Sequence, residues 1–318
     1  MLKFTCIFLF TLSLVFPLPA AAAAESKELR KQRQETQKER QERKKERNTE
    51  IAEATKSFRD FARDLKAQYQ EKAKEIDVEF ELKRVELEAD AKAEVTVAEA
   101  EYQKKVMGLF MNPGGQFEGE ALAKMQADGK DYADEVFALR KGSAEVLHRE
   151  KMDNEKRKNE LMSERDQLAL EEARSLGLMK DYPPILATPI GGGLTKQEEQ
   201  WNDRERKDVA KIKKNNKYTI SEFEYGARLR EWEMQNMEED FELKWREKAE
   251  DHALGAEQSF YNVLLMQAAQ GGEVNQQDMI SRITELNKEK QLIKIKYKKI
   301  KDQNRIKRRE EKKKIQGR

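Results

Sequence analysis

The chain has 318 residues, of which 39% are charged and 37% hydrophobic, with a formal net charge of +2. Globular domains run nearer to about 25% charged and about 45–50% apolar. This composition therefore excludes a thick apolar core and favours helices that bury narrow seams. The near-neutral balance excludes a chain that is polycationic as a whole, so only the distribution of charge can point to a partner.

Residues 1–24 read as a signal peptide: a short basic start, an apolar run from Phe4 to Pro19, then an alanine stretch offering an A-x-A cleavage site before Glu25. An uncleaved N-terminal membrane anchor is the alternative. Cys6, the single cysteine, lies inside this segment without a lipobox, so the mature chain has neither disulfides nor thiolate chemistry. Later stretches fall short of the ~20 apolar residues of a membrane span. The expected location is the periplasm or the exterior.

Residues 25–50 form a charged arm whose only large apolar side chain before Ile51 is Leu29. The pattern fits a solvated helix or a disordered segment equally well. An eleven-residue repeat follows. Its apolar positions, spaced 4, 4, 3, include Phe58, Leu65, Tyr69, Ile76, Phe80, Leu87, Tyr102 and Leu109, with Arg84 as the interruption. Eleven residues over three turns keep a stripe on one helical face. The spacing predicts one long helix over 51–111, built to lie along another helix. Asn112-Pro113-Gly114-Gly115 breaks it, and a second helix with weaker patterning runs from about 117 to 179.

Residues 181–195 read as a Pro/Gly linker, and its Gly191-Gly192-Gly193 run reads as a hinge rather than a phosphate loop. Thr195 with Glu198 predicts a capping box that starts a new helix. Asn215-Asn216 predicts a softer break before a second box, Thr219 with Glu222. Another helix then extends to about 269, and Gly271-Gly272 precedes the last one.

The two halves echo each other. Phe80-Glu81-Leu82-Lys83 recurs 161 residues later as Phe241-Glu242-Leu243-Lys244, and the 4, 4, 3 spacing continues through Trp245 and Phe260. An internal duplication is expected, with residues 51–180 as a first hairpin (tip near 112–116) and 196–318 as a second (tip near 270–274). Charge supports the second hairpin. Residues 222–251 hold eleven acidic and five basic side chains, while 288–318 hold fifteen basic and four acidic ones. Opposite signs then face each other, with Ile283, Leu286, Ile293, Tyr297 and Ile300 at heptad positions.

The fold class is all-α: long helical hairpins forming an elongated antiparallel coiled coil or helical bundle. No cofactor is implied. Glu145 and His148 have the spacing of a di-iron ligand pair, but His252 has Ala249 where the second glutamate would stand. Neither a nucleophile elbow nor a Gly-Lys-Ser/Thr loop ending is present, and an enzyme is not expected. The expected function is an extracytoplasmic scaffold partnering itself or other chains through its seams. The alternatives are a holdase gripping unfolded clients between hairpins and, more weakly, a helical component of an export or conjugation apparatus. Lys307, Arg308, Arg309, Lys312, Lys313 and Lys314 are the expected contacts with an anionic membrane surface; nucleic acid is disfavoured.

Overall fold

The structure, a computed structural model, describes residues 20–110, 119–269 and 275–317, with side chains for 27–108, 123–265 and 275–317. Both expected tips, the first nineteen residues of the signal segment and the Leu109 side chain lie outside the described residues. Four long helices account for most of the described chain, and no strand occurs there: α1 (Ala20–Phe110), α2 (Gly119–Ser175), α3 (Lys196–Ala269) and α4 (Gln276–Ile315). The architecture is consistent with a helical bundle. No described helix is long and apolar enough to cross a membrane.

The chain divides into two compact units, and α1 and α3 contribute a segment to each. Unit 1 comprises Met1–Phe58 and Arg174–Thr219. The arm is helical there, as the first part of α1, and runs parallel to the first part of α3: Arg33 meets Glu198 and Arg47 meets Glu205. The Pro/Gly segment lies wholly inside this unit and is tied down at several points. Asn202 accepts from the Ala187 N–H at 2.6 Å and donates to the Ala187 carbonyl at 3.4 Å. Arg33 donates to the Ile190 carbonyl, and Gly191, at φ +70°, lets the backbone approach Leu29. A hinge reading of the glycine run therefore gives way to a strap fixed against the arm.

The Thr195–Glu198 capping box forms: the Glu198 carboxylate accepts from the Thr195 N–H at 2.8 Å and the Thr195 hydroxyl accepts from the Glu198 N–H at 3.3 Å. The second break does not. α3 runs unbroken through Asn215-Asn216. Buried Asn216 spends its amide on the Leu178 carbonyl at 3.1 Å, and Thr219 bonds back to the Asn215 carbonyl as a mid-helix threonine does. An asparagine pair that looks like a helix stop is here a tertiary fastener.

Unit 2 comprises Arg59–Ala173 and Ile220–Arg318. Within it α1 and α2 are antiparallel, with Lys83 on Glu150, Asp77 on Asn154 and the Tyr102 and Tyr132 rings stacked at 4.6 Å. α2 and α3 are antiparallel through His148 on Phe241 and Phe137 on His252. α3 and α4 are antiparallel through Glu250 on Lys296 and Glu247 on Lys301. Leu65, Tyr69, Ala169, Ala173, Ile220 and Phe223 are buried in this unit.

Close approach of α2 and α3 depends on one glycine. A Cβ at Gly226 would stand 2.3 Å from the Asp166 carboxylate, which is itself buried and ion-paired with Arg165 and Arg230. Alanine here gains helix propensity but displaces a paired, buried carboxylate. At Gly142 a Cβ meets nothing within 4 Å. Gly226→Ala is therefore expected to destabilise the fold by about 1–3 kcal/mol, and Gly142→Ala to stabilise it by about 0.5–1 kcal/mol. Thermal unfolding of the two variants beside the parent checks both signs.

Candidate interaction surfaces

The eleven-residue stripe is the packed face of α1. From Tyr69 to Val106 every residue that is not exposed lies on the stripe, and every residue off it is exposed. Phe58, Leu65 and Tyr69 are buried, and Ile76, Phe80, Leu87 and Tyr102 are half-buried. Arg84 also lies on the stripe, half-buried, and reaches sideways to Glu81 at 2.7 Å and Glu88 at 3.7 Å. α2 lies against α1 near Phe80. Its side chains answer polar ones, with Lys158 on Asp77 and Arg157 on Glu79.

On α3, Trp245 is buried and Phe241 half-buried, both against α2. Phe260 departs from the expected seam. It is 47% exposed and edge-on to Tyr261, while the neighbouring Glu257 and Gln258 hold Arg282 and Lys290 of α4.

The two histidines are packing residues. His148 is half-buried and stacks on Phe241 at 3.9 Å, while Glu145 turns to Lys141, so the spaced pair is not brought together. Burial pushes the His148 imidazole below its ordinary 6.5. His252 stacks on Phe137 at 4.2 Å and lies 2.8 Å from Asp134. Among the described residues no group of three or more His, Cys, Asp or Glu side chains is placed to hold a metal ion.

Unit 1 holds a buried charge cluster that apolar periodicity does not reveal. Glu205 is 0% exposed, with Lys44 at 2.9 Å and Arg47 at 2.6 Å, and Lys44 also bonds Asp208 at 2.6 Å. Burial alone would raise the Glu205 carboxyl, but the two cations beside it outweigh burial and hold it below its ordinary 4.5. A signal exists in hindsight. Leu29, Arg33, Thr36, Arg40, Lys44, Arg47 and Ile51 are the residues shielded from solvent along the arm, at the same 3- and 4-residue spacing as the stripe.

The basic end divides into two faces. α4 is helical to Ile315, and Arg308 grips Asp240 and Glu239 on α3 while Lys312 meets Glu233. Lys307 pairs with Glu311 one turn on. Arg309, Lys313 and Lys314 are exposed and make no ion pair among the described residues. Of the six cations expected at an anionic surface, three are thus ion-paired, two of them to α3. Ile283, Leu286, Ile293, Tyr297 and Ile300 all lie on the α3-facing side. The Tyr297 hydroxyl donates to Glu250 at 2.7 Å, and burial, followed by that carboxylate, pushes it up to about 12.

No protein-family model, curated protein or solved structure matches this chain. The functional reading therefore rests on these surfaces.

Glu205 gives the clearest test of the ionic seam. Glu205→Gln leaves Arg47 buried beside a neutral amide, an expected loss of about 3 kcal/mol, the low end for breaking a buried pair because water still reaches Lys44. Local amide hydrogen exchange over 33–47 and 198–208 reads it directly. The parent's protection there should be full above pH 4.5 and fall as acid protonates a carboxylate whose folded pKa lies below its unfolded one. In the variant that pH dependence should be shallower.

Proposed function

We propose that this protein is a non-enzymatic helical scaffold that acts outside the cytoplasm and assembles with copies of itself. The observation that supports the reading best is the one-sided packing of α1. Beyond Tyr69 it buries a single stripe and leaves the rest of its circumference, including Val78, Leu82 and Val85, exposed. A helix of this kind offers a long second face at fixed spacing, which suits assembly. In this reading the chain is a pair of long antiparallel hairpins of coiled-coil type, arising by duplication. The signal-like pattern of residues 1–24 supports export to the periplasm or the exterior. Glu205, Lys44, Arg47, Arg308, His148 and His252 are engaged in ion pairs or ring stacks, which fits a structural role.

The same exposed apolar residues favour one other reading, a holdase that covers unfolded clients. The two separate in solution. A scaffold is expected to sediment as a defined oligomer at micromolar concentration and to leave aggregation of an unfolded outer-membrane protein unchanged. A holdase is expected to sediment as a monomer, bind a hydrophobic dye and suppress that aggregation at near-equal molar ratio. Suppression by a monomeric chain overturns the scaffold reading.

A further inference from the structure

The exposed apolar residues of α1 form a second stripe. Val78, Leu82, Val85, Ala89 and Ala93 are spaced 4, 3, 4, 4, and the series continues through Thr96 to Ala100. All of them are exposed, Leu82 at 65%. At about 100° per residue this series lies roughly half a turn from the packed one. The helix is two-faced, with one face on α2 and the other bare.

α3 has the same plan with both faces filled. Positions 161 residues apart correspond. Phe80, Arg84 and Ala91 match Phe241, Trp245 and His252, all on the α2-facing side of their helices. On the opposite side, Leu82 and Ala89 match Leu243 and Glu250, which α4 covers: Glu250 holds Lys296, and Leu243 shares a groove with Lys301 and Arg305. The face that α4 occupies on α3 is the face left open on α1.

Charge indicates what fits there. Residues 75–101 carry ten acidic and three basic side chains, so two copies of this face repel each other. The chain's own complement is the outward face of α4. Residues 288–309 carry eleven basic and two acidic side chains; Lys290, Lys296, Lys301 and Arg308 turn to α3, while Lys288, Lys298 and Lys299 are exposed and make no ion pair among the described residues. On that side α4 also exposes Leu292, Ile295 and Ile306, two of them at 63% and one at 60%. Leu292, Ile295, Lys299, Asp302 and Ile306 follow heptad spacing, on the side away from buried Tyr297.

We infer that the bare stripe of α1 is a docking site for the outward face of α4 from a second copy of this chain. The contact joins two different surfaces and so is heterologous. It rests on the self-association reading and says which faces make it.

Charge reversal on exposed, unpaired positions tests this in the full chain. Glu75→Lys with Glu86→Lys reverses one face, and Lys288→Glu with Lys299→Glu reverses the other. Each double variant should keep the parent's circular dichroism and melting profile. Each should raise the self-association constant, read as Kd by sedimentation equilibrium, at least about tenfold. An equimolar mixture of the two should recover association, because each reversed face then finds its complement. A parent that stays monomeric overturns both this inference and the self-association reading. A parent that assembles while both variants assemble equally well leaves self-association standing and overturns this contact. Binding of α4 to vesicles rich in anionic lipid, lost in Lys288→Glu/Lys299→Glu while assembly is unchanged, assigns the α4 face to a membrane and overturns it as well.

Discussion

From Tyr69 to Val106, shielding along α1 is confined to one residue in every three or four, and several other features of the molecule follow from that limit. A stripe this narrow can hold one neighbouring helix and no more. With 39% of its residues charged, the chain meets the rest of its packing needs by pairing charges across helices. Lys83 with Glu150, Lys301 with Glu247 and Arg308 with Asp240 are such pairs. Exposed pairs contribute about 0–1 kcal/mol each. Their value lies in register: a one-turn slip of α4 against α3 would separate Lys301 from Glu247 and Arg308 from Asp240.

The stripe of α1 was legible because its residues are apolar and its period is rigid. The capping box at Thr195 was legible because its two side chains answer each other locally. The arm was not, since its seam positions are Arg33, Arg40, Lys44 and Arg47, and a search for apolar spacing passes over cations. Their partners, Glu198 and Glu205, are more than 150 residues away, and only folding brings them together. Asn216 misled for a related reason. Its amide reads locally as a helix breaker, whereas in the fold it serves the Leu178 carbonyl. Local rules identify what a side chain can do, and long-range contacts decide which of those options is used.

The ionic and apolar stretches of the same seam have different physical characters. In unit 1 the seam turns on a carboxylate removed from water, which costs free energy unless both cations stay in place. That arrangement selects one register sharply and answers to pH. In unit 2 the seam at Phe58's successors on the stripe, Leu65 and Tyr69, is formed by buried aromatic and aliphatic side chains. A single helix thus carries an ionic stretch and an apolar one without any change in its backbone periodicity.

The correspondence of α1 with α3 bears on why a bare face persists at all. An exposed apolar stripe favours unwanted association, and sequences under no demand for it acquire lysine and glutamate there. Along α1 the packed face tolerates Arg84, yet the bare face from Val78 to Ala93 holds only valine, leucine and alanine at its stripe positions. The polar substitution falls on the face with a neighbour inside the chain. The face without one stays apolar and is bordered by acids. Such a pattern is expected of a surface whose complement is a basic amphipathic helix, and α3 meets that same complement within its own hairpin.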